Sequence, residues 1–159
     1  MSPANAESVT LGVIADTHGL LRAEALEALA GVDAIVHAGD IGPPELLARL
    51  EGIAPLHVVR GNVDRDAWCD SLPVSLTLEF AGQRLHMRHI LAELDIDPAR
   101  EGIAVVVSGH SHKPSIETRQ GVLYLNPGSA GPRRFRLPIT LARLELSRAT
   151  ANATLVELC

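Results

Sequence analysis

Seven side chains of the kinds that bind metal ions follow short apolar segments of this sequence. They are Asp16, His18, Asp40, Asn62, His89, His110 and His112. Carboxylates, imidazoles and an amide oxygen are ligands that suit Mn²⁺, Fe²⁺, Zn²⁺ or Co²⁺, and no thiolate stands among them. A carboxylate can also bridge two ions about 3.5–4 Å apart. If the seven side chains meet, they predict a two-metal site whose bridging water attacks phosphorus.

The first third of the chain predicts the elements that would bring these side chains together. Apolar runs at 9–15, 34–37 and 56–59 predict strands, and helical spacing of Ala and Leu predicts helices over 21–30 and 43–50. This β-α-β-α-β order indicates a parallel sheet with right-handed crossovers. The carboxyl ends of parallel strands meet at one edge, where ligand sites form.

The remainder of the chain predicts more strands than helices. A hairpin is predicted over 74–89, a short helix over 98–101 and a buried strand over 103–107. Further strands are predicted at 115–118, 122–125, 139–146 and 153–158. We therefore expect residues 8–159 to form one α/β domain, with a mixed sheet or two packed sheets, preceded by a flexible tail over residues 1–7.

Composition narrows the classes of function. The 159 residues are 47% hydrophobic and carry a formal charge of −5, which disfavours nucleic acid as a partner except as a substrate fragment. All fourteen basic residues except Lys113 are arginines, the better planar ligands for phosphate. Two cysteines without a pairing pattern, no signal peptide and no membrane-spanning run predict a cytoplasmic location without a membrane partner.

Five short motifs in order resemble the calcineurin-like metallophosphoesterase superfamily. They are Asp16-Thr17-His18, Gly39-Asp40, Gly61-Asn62, the isolated His89 and Gly109-His110-Ser111-His112. Within that superfamily the chain is similar to the small YfcE-like phosphodiesterases and to the retromer subunit Vps29, which share the turn Asn126-Pro127-Gly128-Ser129. The resemblance covers nearly the whole chain and implies an αββα fold, with mixed sheets packed as a sandwich flanked by helices.

The resemblance also implies how the seven residues share two divalent ions. One ion would take Asp16, His18, Asp40 and His112, and the other would take Asp40, Asn62, His89 and His110. Asp40 would then bridge the ions, and the seven residues would form the catalytic site. Mn²⁺ is the ion expected first, with Ni²⁺, Co²⁺, Zn²⁺ and Fe²⁺ as alternatives.

The chain departs from the family pattern at two places. Many members have histidine after Gly-Asn, where this chain has Val63, which cannot protonate a leaving group. We infer a preference for esters whose leaving group needs little protonation, or a proton donor from elsewhere. Arg88 and Ile90 flank His89 where small residues are usual, which predicts crowding of the second ion or a guanidinium beside the phosphate.

Structural roles are the alternatives for each candidate ligand. Asp16 and Asp40 are also good helix N-caps, and Asn62 tolerates the left-handed backbone of a turn. The histidines are alternatively solvated loop residues or, for His89, a core residue.

Arg133 and Arg134 are candidate substrate ligands, with a solvated face or an oligomer contact as the alternative. The expected function is hydrolysis of a small phosphate ester, more readily a diester than a monoester. A Vps29-like interaction scaffold with little or no catalysis is the alternative, and a homo-oligomer is possible.

Overall fold

Two five-stranded sheets packed face to face form the body of the protein. The computed structural model describes residues 7–159, so the predicted tail over 1–7 lies almost wholly outside the described residues. The strands are β1 (Ser8–Ile14), β2 (Ala34–His37), β3 (Leu56–Val58), β4 (Ser75–Phe80), β5 (Gln83–Arg88), β6 (Ile103–Val107), β7 (Ser115–Arg119), β8 (Val122–Asn126), β9 (Thr140–Ser147) and β10 (Ala151–Glu157). The helices are α1 (Ala23–Ala28) and α2 (Pro44–Glu51), with short 3₁₀ turns at Ala67–Ser71 and Leu91–Glu93.

In the first sheet β9 alone runs opposite to the other four strands, and in the second sheet β4 and β7 run opposite to the other three. The first sheet has the order β10-β9-β1-β2-β3, in which β1, β2 and β3 run parallel. The second has the order β4-β5-β6-β8-β7, in which β5, β6 and β8 run parallel. The predicted parallel β-α-β-α-β unit and the hairpin of β4 and β5 are confirmed.

Aliphatic side chains fill the space between the sheets. Alternate residues of β1, such as Leu11 and Val13, pack with Leu85 and Met87 of β5 and Val105 of β6, and all five are fully buried. Period-two alternation sends these side chains to the inner face, as expected for facing sheets. The predicted α/β sandwich is therefore confirmed.

The two outer faces of the sandwich are covered differently. Both helices pack on the first sheet, where Ala25 of α1, Leu29 at the end of that helix, and Leu46 and Leu50 of α2 join one apolar cluster. The outer face of the second sheet is covered instead by the segment after β5, through side chains that include Leu91 and Leu94. The second outer layer thus consists of a 3₁₀ turn and loop.

The prediction of a helix over 98–101 is wrong. Residues 98–102 form a turn, in which the Glu101 amide donates to the Asp97 carbonyl at 3.0 Å. Gly102 then takes a left-handed backbone with φ of 71°, and the Ile103 amide closes the turn onto the Pro98 carbonyl. The segment therefore stops after one turn and enters β6.

Among the described residues, no helix is long and apolar enough to cross a membrane.

Candidate metal centre

The seven candidate ligands meet at the carboxyl ends of the parallel strands. The first sheet supplies four from the loops after β1, β2 and β3, and the second sheet supplies three from the loops after β5 and β6. Five of the seven have a left-handed backbone: Asp16, His18, Asp40, His110 and His112, with φ between 44° and 70°. Non-glycine residues adopt this conformation at an energetic cost that is common at functional sites.

Asp16, His18 and His112 form the first cluster. The Oδ1 atom of Asp16 lies 3.6 Å from His112 Nε2 and 3.9 Å from His18 Nε2. The two imidazole Nε2 atoms are 3.3 Å apart. One potential ligand atom from each residue lies within 4.8 Å of the others, so the three side chains can hold one ion.

Asp40, His89 and His110 form the second cluster, on the same 4.8 Å criterion. His89 Nε2 lies 3.1 Å from Asp40 Oδ2. Asn62 joins this cluster, because its Oδ1 lies 3.0 Å from His110 Nδ1. The structure therefore brings Asn62 together with Asp40, His89 and His110.

Asp40 lies between the clusters. Its Oδ2 is 3.1 Å from His89 Nε2 in the second cluster and 3.9 Å from His18 Nε2 in the first. Its Oδ1 accepts a hydrogen bond from the Val63 amide at 3.0 Å. One oxygen is thus held by the backbone while the other is within reach of both clusters.

The buried polar atoms of the site fit a bound cation. Among the described residues, Asp16 Oδ1 and His89 Nε2 are buried without a hydrogen-bond partner. Leaving buried polar and ionised groups unpaired is costly, and coordination of a metal ion is one way of satisfying them. His112 Nδ1 is likewise unpaired, so each cluster contains at least one such atom and the donor set fits two divalent ions.

The shifts in the pKa values of Asp16 and His112 also favour binding of a cation at the site. Burial, reinforced by the charge of Asp40, raises the pKa of Asp16 to about 7, although His89 opposes the shift. Burial also lowers the pKa of His112 to about 4, which keeps this imidazole in the neutral form that binds metals. A cation between them would favour the ionised Asp16 and the neutral His112.

The orientation of His89 is fixed by a backbone carbonyl. Its Nδ1 donates to the Ala38 carbonyl at 2.7 Å, so its Nε2 faces the carboxylates of Asp16 and Asp40. Metal-binding histidines usually make such a bond with the other ring nitrogen. Arg88 pairs with Asp95, whose carboxylate is 3.4 Å away, and the imidazole keeps its bond to the Ala38 carbonyl.

Asp64 braces two of the ligand loops, a role that the sequence analysis missed. This buried carboxylate accepts hydrogen bonds from the amides of Asp40, Ile41 and Gly61 at 2.7–2.9 Å. A Cβ atom on Gly61 would collide with Asp40, so the two loops are in direct contact. The available signal was the acidic residue two positions after Asn62, which matches the family's Gly-Asn-x-acid pattern.

His37 joins the loops after β1 and β2. Its Nδ1 accepts from the Gly39 amide at 3.0 Å, and its Nε2 donates to Thr17 Oγ1 at 3.0 Å. The Thr17 hydroxyl donates in turn to the Ile41 carbonyl. Burial lowers the pKa of His37 to about 3, which keeps it neutral, as this donor and acceptor pattern requires.

The Asn126-Pro127-Gly128-Ser129 turn braces the remaining loops. Asn126 donates from Nδ2 to the Gly109 carbonyl at 3.0 Å, and Ser129 donates from Oγ to the Asp16 carbonyl at 2.9 Å. The turn therefore connects a loop from the second sheet with a loop from the first.

The helix-cap alternative does not apply to the two aspartates. The N-caps of α1 and α2 are Arg22 and Pro43, and neither helix has a side-chain cap.

Arg133 and Arg134 have different surroundings. Arg133 donates to the carbonyls of Leu137 and Cys159, at the far side of its loop. The charge of Arg134, in contrast, opposes the rise in the pKa of Asp16 and adds to the fall in the pKa of His112. Of the two, Arg134 is therefore the one whose charge reaches the first cluster.

A family model matches most of the chain. The description of that model is calcineurin-like phosphoesterase superfamily domain, and the match spans residues 9–149. The chain belongs to this superfamily. A probable metallophosphoesterase of Methanothermobacter thermautotrophicus is 35% identical to this phosphoesterase over 140 residues, which cover 80% of the chain and 81% of the relative.

Solved structures confirm the fold of this calcineurin-like phosphoesterase. A predicted phosphoesterase from Streptococcus pneumoniae superposes with a TM-score of 0.74 at 26% identity, over 94% of this chain and 90% of the other. Vps29 from Chaetomium thermophilum superposes with a TM-score of 0.78 at 16% identity, over 94% of this chain and 95% of the other. The family predicted from the motifs is therefore confirmed, and the Vps29 likeness concerns the fold alone.

Replacing Asp64 by asparagine should loosen the site without removing any candidate ligand. A carboxamide at this position would accept only through its single oxygen, so part of the three-amide brace is lost. We expect Asp64→Asn to lower the free energy of unfolding by about 1–3 kcal/mol and to weaken metal binding. Urea unfolding of metal-free protein and metal counting after dialysis measure these effects.

Asp33→Asn is the matched control, because Asp33 also accepts from a backbone amide, that of Thr10, but at an exposed position away from the site. Equal losses in the two variants would contradict the bracing role of Asp64.

Proposed function

We propose that the protein is a metal-dependent phosphodiesterase with a dinuclear centre. The observation that carries the proposal is the position of Asp40, whose Oδ2 is within 4 Å of an imidazole nitrogen in each cluster. A carboxylate shared in this way is the arrangement that a two-metal hydrolytic site requires.

The seven residues would hold the two ions in two overlapping sets. The first set is Asp16, His18, Asp40 and His112, and the second is Asp40, Asn62, His89 and His110. The oxygen- and nitrogen-rich donor set suits Mn²⁺, our first choice, and also Ni²⁺, Co²⁺, Zn²⁺ or Fe²⁺. When bound, the ions would supply an activated water and neutralise charge on the phosphoryl oxygens.

The protein's own residues then orient the site and its substrate. Ala38 holds the His89 imidazole through its carbonyl, and Val63 holds one Asp40 oxygen through its amide. Arg134 places positive charge beside the first cluster, where it can bind an oxygen of the phosphate. The small ester therefore enters a site whose ligating atoms are already positioned.

The residue that follows Asn62 bears on which leaving groups the site can use. The Val63 side chain is 51% exposed and cannot donate a proton to a leaving group. We infer that the preferred leaving groups are ones that depart without protonation from this position.

A Vps29-like scaffold is the alternative function, and it would make protein partners more important than an ester. The complete and closely grouped ligand set favours the enzyme. Homo-oligomer formation and a cytoplasmic location stay predictions from the sequence.

The proposed function is tested with metal-free protein, bis(p-nitrophenyl) phosphate and each divalent ion in turn. We expect turnover that depends on the metal, with close to two ions bound per chain.

Asp40→Asn keeps the shape of the side chain and the tolerance for a left-handed backbone. It should abolish turnover and reduce bound metal, because the bridge serves both ions. Asp33→Asn should behave as wild type. Metal binding without turnover on diesters or monoesters would favour the scaffold, and an active Asp40→Asn variant would refute the shared carboxylate.

Replacing His89 by alanine should remove mainly the second ion. The first cluster keeps its three residues, so we expect about one ion per chain and a loss of turnover of at least about a hundred-fold, about 3 kcal/mol. Metal analysis of dialysed protein measures the first effect. His57→Ala is the control, because His57 packs against Phe80 outside both clusters. A His89→Ala variant that retains two ions would show that His89 is not a ligand.

Substitutions of the neighbouring Arg133 and Arg134 form a matched pair that tests substrate binding. Arg134→Gln should lower kcat/KM about ten-fold, the scale of one hydrogen bond to a charged group. Arg133→Gln should change kcat/KM less than about two-fold, because its guanidinium is engaged by the Leu137 and Cys159 carbonyls. Steady-state kinetics on bis(p-nitrophenyl) phosphate measures both. Equal effects of the two substitutions would contradict the different roles.

A further inference from the structure

A cavity lined by three arginines opens beside the second cluster. Its volume is about 220 Å³, and Asn62 and His89 form part of its wall. Arg60, Arg65 and Arg88 also line it, together with the acidic Asp64 and Glu93 and the apolar Val74 and Ile90. The proposed second ion would therefore lie at one end of a cavity rich in guanidinium groups.

Two of the arginines are oriented by the loop that carries Asn62. Arg60 donates from Nε to the Asp64 carbonyl at 3.0 Å, and Arg65 donates from Nε to the Asn62 carbonyl at 3.1 Å. Because each bond uses Nε, the terminal nitrogens of both guanidinium groups are left for other partners. Such a pair can form the planar, two-pronged contacts that arginine makes with phosphate.

Arg88 approaches from the second sheet, and its charge is only weakly countered. Its side chain is 19% exposed, whereas the nearby Glu93 and Asp95 are 58% and 70% exposed. The corresponding nitrogen-to-oxygen distances are 4.0 and 3.4 Å. Arg60 is similarly 3.8 Å from an Asp70 that is 71% exposed. Long, exposed ion pairs of this kind contribute little, so an anion can replace them.

We propose that this arginine cavity binds a second phosphate group of the substrate. The proposal rests on the proposed function, because the scissile phosphate would lie on the two ions and leave the arginines for another anion. A terminal phosphate carries close to two negative charges and three acceptor oxygens, which suits three guanidinium groups better than a carboxylate does. The substrate class is therefore a phosphodiester that bears an additional phosphate monoester.

Binding of two nucleotides that differ by one phosphate tests the proposal. The probes are thymidine 3′,5′-bisphosphate and thymidine 5′-monophosphate, titrated calorimetrically into metal-loaded protein. Wild type should bind the bisphosphate at least about ten-fold more tightly, as expected for hydrogen bonds to charged groups. Arg88→Gln should remove most of that ratio, and Glu93→Gln should increase it by removing the opposing charge.

Arg119→Gln is the control, because Arg119 pairs with Glu117 on the exposed strand β7, outside the cavity. Its affinity ratio should equal that of wild type. A wild-type ratio near one, or a ratio unaffected by both Arg88→Gln and Glu93→Gln, would overturn the second phosphate site.

Turnover of bis(p-nitrophenyl) phosphate separates this inference from the proposed function. Metal-dependent turnover without a bisphosphate preference would overturn the cavity assignment alone. A bisphosphate preference that Arg88→Gln removes, in a protein without turnover, would support the arginine cavity and overturn the hydrolytic function.

Discussion

The carboxylates of Asp16 and Asp40 lie in one buried space, and this proximity carries a large electrostatic cost in the absence of a cation. Burial raises the pKa of Asp16 to about 7, and the neighbouring charge of Asp40 adds to this rise. Asp40 is treated differently, since His89 and the Val63 amide outweigh its burial and lower its pKa. The protein therefore stabilises one negative charge by itself and leaves the second to be stabilised by a bound cation. The unpaired Asp16 Oδ1 is the atom at which that dependence is greatest.

Holding these groups together also requires backbone that would not form alone. Left-handed conformations at Asp16, Asp40 and His112 each cost free energy, and they persist where neighbouring structure fixes them. Buried hydrogen bonds supply that constraint, because each bracing group joins two different loops. Asp64 joins the loops after β2 and β3, and the turn containing Asn126 and Ser129 joins the loops after β1 and β6. The shape of the site therefore depends on these buried hydrogen-bonding groups as well as on the candidate ligands.

The convergence of the candidate ligands could be predicted from sequence because each one follows a segment that is readable as a strand. The parallel unit around Asp16, Asp40 and Asn62 followed from element order alone, and the family pattern supplied the grouping into two sets. The position of Asp64 after Asn62 was a readable signal, but its partners were not, because an acidic residue in a loop does not indicate which amides will donate to it. The difference between Arg133 and Arg134 was equally hidden, since it depends on where the chain folds back to Leu137 and Cys159. The helix over 98–101 failed for a local reason, the left-handed Gly102 one residue beyond it.

Neither cluster belongs to one sheet. The first combines Asp16 and His18 from the first sheet with His112 from the second, and the second combines Asp40 with His89 and His110 across the same division. The separation between the ligands therefore depends on how the sheets pack, which is set by side chains such as Leu85 and Met87. Because close-packed interiors transmit small volume changes, a substitution in this core alters the spacing of the clusters without touching a ligand.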